Sequence, residues 1–481
     1  MLFNSLNFSI FLPIVFLIYW LGTKRNLKFQ NILLLISSYF FYSCWDWRFL
    51  FLLIFSTLLD YYTGIKMSES KNQKVKKNWF WISVSINLGF LGIFKYYNFF
   101  AESFASAFNE IGLNVTPWSL KVVLPVGISF YTFHGLSYVI DIYKNRIKAE
   151  RNFIDYAVFV SFFPLLVAGP IERANHLLPQ IQKERTFDYT KAVDGLRQIL
   201  WGLFKKIVIS DYCAIYVNQT FDNYDAHNGS TLILGAILFA FQIYGDFSGY
   251  SDIALGTARL FGIDLLRNFA FPYFSRDIAE FWRRWHISLT TWFRDYVYIP
   301  LGGSKEGKWS SIRNTIIIFL VSGFWHGANW TFLAWGVFHA LLFLPLLILN
   351  KNRENTNTVA ENNIFPTLKE LWKMCLTFSL VCFGWIFFRS ENIFIAFDYI
   401  WHIFKNGIFV IPNLLNRDYY LPLFFSLFIL LTTEWIQRKK KHGLEIDKIN
   451  SHALKFSIYI FLISIIFWFG GKSETFIYFQ F

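Results

Sequence analysis

Apolar runs approaching the thickness of a lipid bilayer recur along the whole chain, and short charged loops separate them. The first of these runs are Phe8–Leu21, Ile32–Tyr42, Phe49–Ile65 and Trp79–Phe94. Of 481 residues, 55% are hydrophobic and 21% aromatic, only 16% are charged, and Phe alone contributes 59. A soluble fold cannot hide that much apolar surface. In hydrocarbon a chain must satisfy its backbone within helices or a closed barrel, and runs of this length select helices. The expected fold class is therefore an all-α polytopic membrane protein. No Pro/Ser/Gly-rich linker interrupts it, so one membrane domain over residues 1–481 is expected, with a catalytic core at approximately 120–350.

The net charge is +13. The basic residues cluster in short loops, at 23–28, 66–77 (five lysines), 144–151 and 438–441. The loop at 101–118 has two glutamates and no Lys or Arg. Basic and non-basic loops alternate, which places the N-terminus outside and the basic loops in the cytosol. That pattern excludes nucleic acid as a partner. Cys44, Cys213, Cys375 and Cys382 have no metal or disulfide spacing and read as small core hydrophobes. The first run has no basic residue before it and no small-residue cleavage pattern after it, so it is expected to be a retained helix. Ile154–Ala168 has a proline, Pro164, inside only about 15 residues; it is expected to re-enter the membrane without crossing it. The cluster Gly245-Asp-Phe-Ser-Gly-Tyr-Ser-Asp252 interrupts hydrophobic sequence and should face protein or a water-filled cavity.

Two histidines stand out between Pro272 and Leu333. His286 ends Phe281-Trp-Arg-Arg-Trp-His286 in a charge-dense segment. If Ser275–Phe293 is one helix, Ile278, Phe281, Trp282, Trp285, Leu289 and Trp292 form an apolar stripe, while Arg283, His286 and Thr290 share another face. On pattern alone that is an interfacial amphipathic helix. His326 instead follows a run of apolar residues. Arg313 and Asn350 are 37 residues apart, roughly 55 Å as helix and too long for one crossing. The simplest layout is a short helix rising from the cytosolic side, a turn near Gly323–Asn329 and a longer helix after it. His326 then lies near the turn, inside the membrane, with Gly323 and Gly327 allowing close approach of backbone or substrate. An intramembrane histidine is a functional-site candidate, although a buried histidine paired with a carbonyl or packed on an aromatic ring would look the same in sequence.

The chemistry suits acyl transfer. An imidazole titrates near neutrality and can take a proton from a hydroxyl attacking a thioester carbonyl. Asn329, Trp330 or backbone amides could donate to the developing oxyanion. No Gly-x-Ser-x-Gly elbow, HExxH or CxxC pattern occurs, and no metal is expected. His134, His339 and His402 read as structural, and His176, His227, His442 and His452 as solvated.

The run Phe281-Trp-Arg-Arg-Trp-His-Ile-Ser-Leu-Thr-Thr-Trp-Phe-Arg-Asp-Tyr-Val-Tyr-Ile-Pro-Leu-Gly-Gly303, with Phe324-Trp-His-Gly-Ala-Asn-Trp330, resembles the membrane-bound O-acyltransferase family and most closely its alginate O-acetyltransferase branch. Leu124–Phe130, Ala168–Glu172, Trp201–Lys206, Gln242–Asp252 and Trp385–Arg389 extend the resemblance along the chain. It implies a bundle of about 11–13 transmembrane or re-entrant helices around a tunnel. It also implies His326 as the catalytic residue and His286 as its support, with Arg283, Arg284, Asp246, Asn329 and Trp330 as substrate-binding candidates. The implied donor is acetyl-CoA or another acetyl thioester on the cytosolic side, with no tightly bound cofactor. The implied acceptor is a hydroxyl of an exported polysaccharide, reached with a periplasmic or extracellular acetyltransferase partner at a bacterial cytoplasmic membrane. One position departs from the branch: Gly245 stands where a bulkier residue is common, which is expected to alter the local cavity. D-alanyl transfer to teichoic acid is the alternative, since that branch shares the Arg-Arg-Trp-His and Phe-Trp-His-Gly features. A transporter is the non-enzyme alternative, against which stands the lack of a repeat signature.

Overall fold

A computed structural model describes every residue except 24–25, 121–122, 167–168, 414–416, 472–473 and 478–481. Among the described residues the secondary structure is entirely helical. The chain divides into two compact units, Met1–Ala192 with Thr257–Leu266, and Val193–Gly256 with Arg267–Phe481. Among the described residues six helices are long and apolar enough to cross a membrane.

The first unit contains α1 (Leu6–Leu17), α2 (Leu27–Ser43), α3 (Trp47–Glu69), α4 (Gln73–Leu91), α5 (Tyr97–Glu110), α6 (Ile128–Tyr143), α7 (Phe153–Ser161), α8 (Phe163–Leu166), α9 (Ala174–Ile181) and the start of α10 (Tyr189–Leu203). Asn26, Asp46, Asn72 and Asn152 cap α2, α3, α4 and α7 by accepting from free amides of the first turn. Apolar packing is pinned by a buried polar knot, in which Ser83 Oγ and Asn87 Nδ2 donate to Asp60 at 2.5 and 2.8 Å. The expected re-entrant segment is two short helices, α7 and α8, of nine and four residues, buried from Asp155 onward. Their break at Phe162 falls where Pro164 withdraws a backbone donor. Nine residues rise only about 13 Å, too little to cross. The end of that segment, residues 167–168, lies outside the described residues. His134 is buried and structural, its Nε2 accepting from the Glu172 amide at 3.1 Å.

The second unit holds the rest of α10, α11 (Asp211–Asp222), α12 (Gly229–Leu260) as far as Gly256, α13 (Ile278–Arg284), α14 (Ile287–Phe293), α15 (Lys308–His326), α16 (Trp330–Ile348), α17 (Leu368–Arg389), α18 (Ile393–Lys405), α19 (Arg417–Ile436) and α20 (His452–Phe469). The polar cluster at 245–252 does not stop α12, which runs through it for 32 residues with Asp246, Ser248 and Ser251 buried. A π-helical stretch, Phe204–Ser210, lies against it and carries two buried lysines. Lys206 pairs with Asp211 and Asp246, both at 2.7 Å, and Lys205 pairs with Asp252 at 2.5 Å. Gly245 permits this approach, because a Cβ there would lie 2.9 Å from the Lys205 carbonyl oxygen. The departure at Gly245 thus serves helix packing.

α15 and α16 form a tight antiparallel pair. A Cβ on Gly323 would lie 2.3 Å from Phe332 O, and one on Gly336 would lie 2.4 Å from Phe319 O. The glycines therefore serve contact between these helices. α15 is longer than expected, 19 residues like α16. It gains turns at its polar start, where Asn314 Nδ2 donates to Leu301 O and Gly303 O, both at 3.1 Å.

Candidate active site

The expected continuous helix over Ser275–Phe293 does not form. α13 ends at Arg284, α14 starts at Ile287, and His286 sits in the break with φ +43°, a left-handed conformation. Such a φ is uncommon for a non-glycine residue and is concentrated at functional sites. The break is fixed from outside the helices, since Ile287 N donates to Asn268 O at 2.9 Å and Ala270 N to Arg284 O at 3.0 Å. Nor do its aromatic residues face outward. Phe281, Trp282, Trp285, Leu289 and Trp292 are all buried, and so is His286, at 1% exposure.

Breaking the helix brings the two histidines together. The His286 and His326 ring centroids are 6.5 Å apart with planes at 51°. A single oxygen at about 2.8 Å from each ring fits a gap of that size. His326 is the last residue of α15, 4% exposed, with Trp335 and Phe388 edge-on at 5.2 and 5.4 Å. His286 packs edge-on against Phe247 at 4.6 Å. Neither ring nitrogen of His286 makes a hydrogen bond among the described residues. An unsatisfied buried polar group costs about 1–3 kcal/mol; His339 has the same two orphaned nitrogens, and what sets His286 apart is the space it lines.

Both histidines line one cavity of about 480 Å³. Its walls are largely apolar, from Trp282, Leu289, Phe293, Ile318, Phe319 and Phe343. Its charged lining is Arg283, Arg294 and Arg353, with no acidic residue among the described lining. Arg283, His286 and Thr290, expected on one helix face, instead lie on α13, in the break and on α14, and all three line this space. Arg283 is fixed by donating to Asn352 O at 2.7 Å and Asn355 O at 2.8 Å. The arrangement suits a neutral or apolar group near the histidines joined to an anionic end near the arginines.

The other candidates lie elsewhere. Arg284 pairs with Glu280 at 2.8 Å. Asp246 pairs with Lys206 and accepts from the Ile477 amide at 2.6 Å. Asn329 caps α16 through the Thr331 amide and donates to Glu391 O at 2.7 Å. Trp330 is 55% exposed. None of these four lines the cavity. Arg294 and Arg353 escaped the sequence reading; Arg294 sat within the long motif, but nothing in sequence tied Arg353 to it. His339 is structural as expected, fully buried between Trp282 and Trp335 at 5.0 and 4.9 Å. His442 is not solvated but buried, with Nε2 2.9 Å from Asp194.

Comparison with known proteins shows the family. Residues 56–387 match the model of the membrane-bound O-acyltransferase family. The chain is 40% identical over 401 residues to the probable alginate O-acetylase AlgI of Pseudomonas putida, covering 82% of this chain and 79% of that one. It is 30% identical to the peptidoglycan O-acetyltransferase of Helicobacter pylori, covering 100% of this chain and 98% of the relative. It is 29% identical to the teichoic acid D-alanyltransferase of Bacillus subtilis, over 55% of this chain and 69% of that one.

Proposed function

Given that the chain belongs to the membrane-bound O-acyltransferase family and is a multi-pass membrane acyltransferase, we propose that it moves an acetyl group from a cytosolic thioester to a hydroxyl of an exported or cell-surface polysaccharide. The observation that carries this reading is the shared cavity, with His286 and His326 lining one space whose charged residues, among the described lining, are all arginines. His326 takes the proton from the acceptor hydroxyl as its oxygen bonds to the thioester carbonyl carbon. The tetrahedral adduct collapses by breaking the C–S bond, and His326 returns the proton to the departing thiolate. Ester and free thiol are the products, and no net proton is consumed. His286, with both nitrogens available, holds the carbonyl or the incoming hydroxyl in line.

Arg353 and its neighbour Asn352 belong to the loop after α16, on the side assigned to the cytosol by its basic residues. A donor carrying phosphate, such as acetyl-CoA, meets positive charge there and apolar wall further in. The names of the alginate and peptidoglycan relatives support a glycan acceptor. A bacterial cytoplasmic membrane and an acetyltransferase partner on its outer face complete the reading.

The test is mass spectrometry of the surface polysaccharide from cells with and without this chain. Acetyl esters that appear only with the chain are the expected result. Alanyl esters would move it to the D-alanyl alternative. Unchanged polymer would contradict both.

A further inference from the structure

We infer that α18 lies in the plane of the membrane, seated in the headgroup layer on the face away from the basic loops, with its aromatic stripe against lipid. α18 has 13 residues and spans about 20 Å, too short to cross. It connects α17 to α19, both long and apolar enough to cross. α19 leads to the basic loop at 438–441, so α18 sits at the opposite end of these two helices.

Its polarity is inverted relative to a helix on a soluble surface. Phe394, Phe397, Trp401 and Phe404, spaced 3, 4 and 3 residues apart, are 81%, 58%, 62% and 63% exposed. Two polar groups, His402 and the half-exposed Asp398, pair within the protein. Asp398 accepts from Tyr224 Oη at 2.8 Å, and His402 Nδ1 lies 2.9 Å from the Asp398 carbonyl oxygen. Ala396, Tyr399 and Ile403 complete the buried face. The exposed stripe continues along the chain into Phe409 and Ile411, and then into Leu421, Phe425 and Phe428 on α19.

Lipid fits this surface better than a protein partner. Exposed apolar residues recur on the membrane-crossing helix that follows, and the stripe is rich in Phe and Trp, the residues that gather at the membrane interface. Lys405, exposed at its end, can reach the headgroups. The placement has a consequence for the site. Asn329, three residues beyond His326, donates to Glu391 O just before α18. The depth of α18 therefore sets the depth of the His326 turn, near the outer face and not at the bilayer centre.

The test is spin-label accessibility in the full-length protein, in vesicles of phosphatidylcholine and phosphatidylglycerol at about 3:1. Exposed Cys44 and Cys375 are replaced by Ser. Single labels are placed at Phe394→Cys, Phe397→Cys, Trp401→Cys and, as a control, Lys405→Cys. All but the control should relax faster with oxygen than with a water-soluble nickel chelate, at headgroup depth. The control should favour nickel. Nickel dominating along the stripe would put the face in water. Low accessibility to both reagents would put protein there, including a second copy. A depth at the hydrocarbon centre would make the helix spanning. Each of these three outcomes overturns the assignment.

Discussion

At the scale of single residues, the candidate site is built around two imidazoles with different supports. His326 closes a regular helix and is packed by Trp335 and Phe388. His286 is held in a left-handed break with both ring nitrogens unused among the described residues. Burial leaves both ring nitrogens of His286 unsatisfied, as it does those of the structural His339, and His286 differs in lining the cavity. His286→Phe should therefore leave the thermal midpoint unchanged or raise it, while acyl transfer falls by about tenfold or more. A lowered midpoint with normal specific activity would make His286 a packing residue. His326 was legible in sequence because ionisable groups among apolar ones are rare in membrane segments, whereas His286, in a charge-dense segment, stood out only through the family resemblance. Arg353 was not legible, since a loop arginine carries no mark of what it faces. The burial of His442 depends on Asp194, 248 positions away in sequence.

At the scale of elements, the sequence read helix type well and helix ends poorly. The stripe through Ile278, Phe281, Trp285 and Trp292 is continuous, so periodicity ran through a break that hydrogen bonds from Asn268 and Ala270 impose. The role of Gly323 and Gly336 lies in the α15–α16 contact, which no local pattern reveals. Gly336→Val puts a side chain 2.4 Å from a backbone oxygen. It should lower the thermal midpoint by an amount equivalent to about 1–3 kcal/mol. Gly89→Ala in α4 meets nothing within 4 Å, and should be neutral or stabilising by up to about 1 kcal/mol. Equal effects in thermal melts of the two variants would count against the close-packing account. The lysine–aspartate network on α12 makes a second claim. Lys206→Met leaves Asp211 and Asp246 buried without their cation, which should cost about 3–5 kcal/mol. Lys206→Arg should cost less, because the charge remains. A melt in which both variants match wild type would mean that the carboxylates find other partners.

At the scale of the whole molecule, composition alone reached the class. A chain that is 55% hydrophobic with basic loops at intervals has few options besides a helical membrane bundle. Composition did not reach the division into two compact units, each with its own core. Apolar runs look alike whichever neighbours they pack on. The chemistry became legible only where the chain departs from that uniformity, at the Arg-Arg-Trp-His and Phe-Trp-His-Gly segments.

The account stands on His326 as the base for acetyl transfer. The most direct measurement is the rate at which membranes containing the chain move labelled acetyl from a thioester donor onto the polysaccharide, compared between wild type and His326→Ala at matched membrane content. A loss of about a hundredfold or more is expected, the usual contribution of a positioned general base. An unchanged rate in His326→Ala would contradict it.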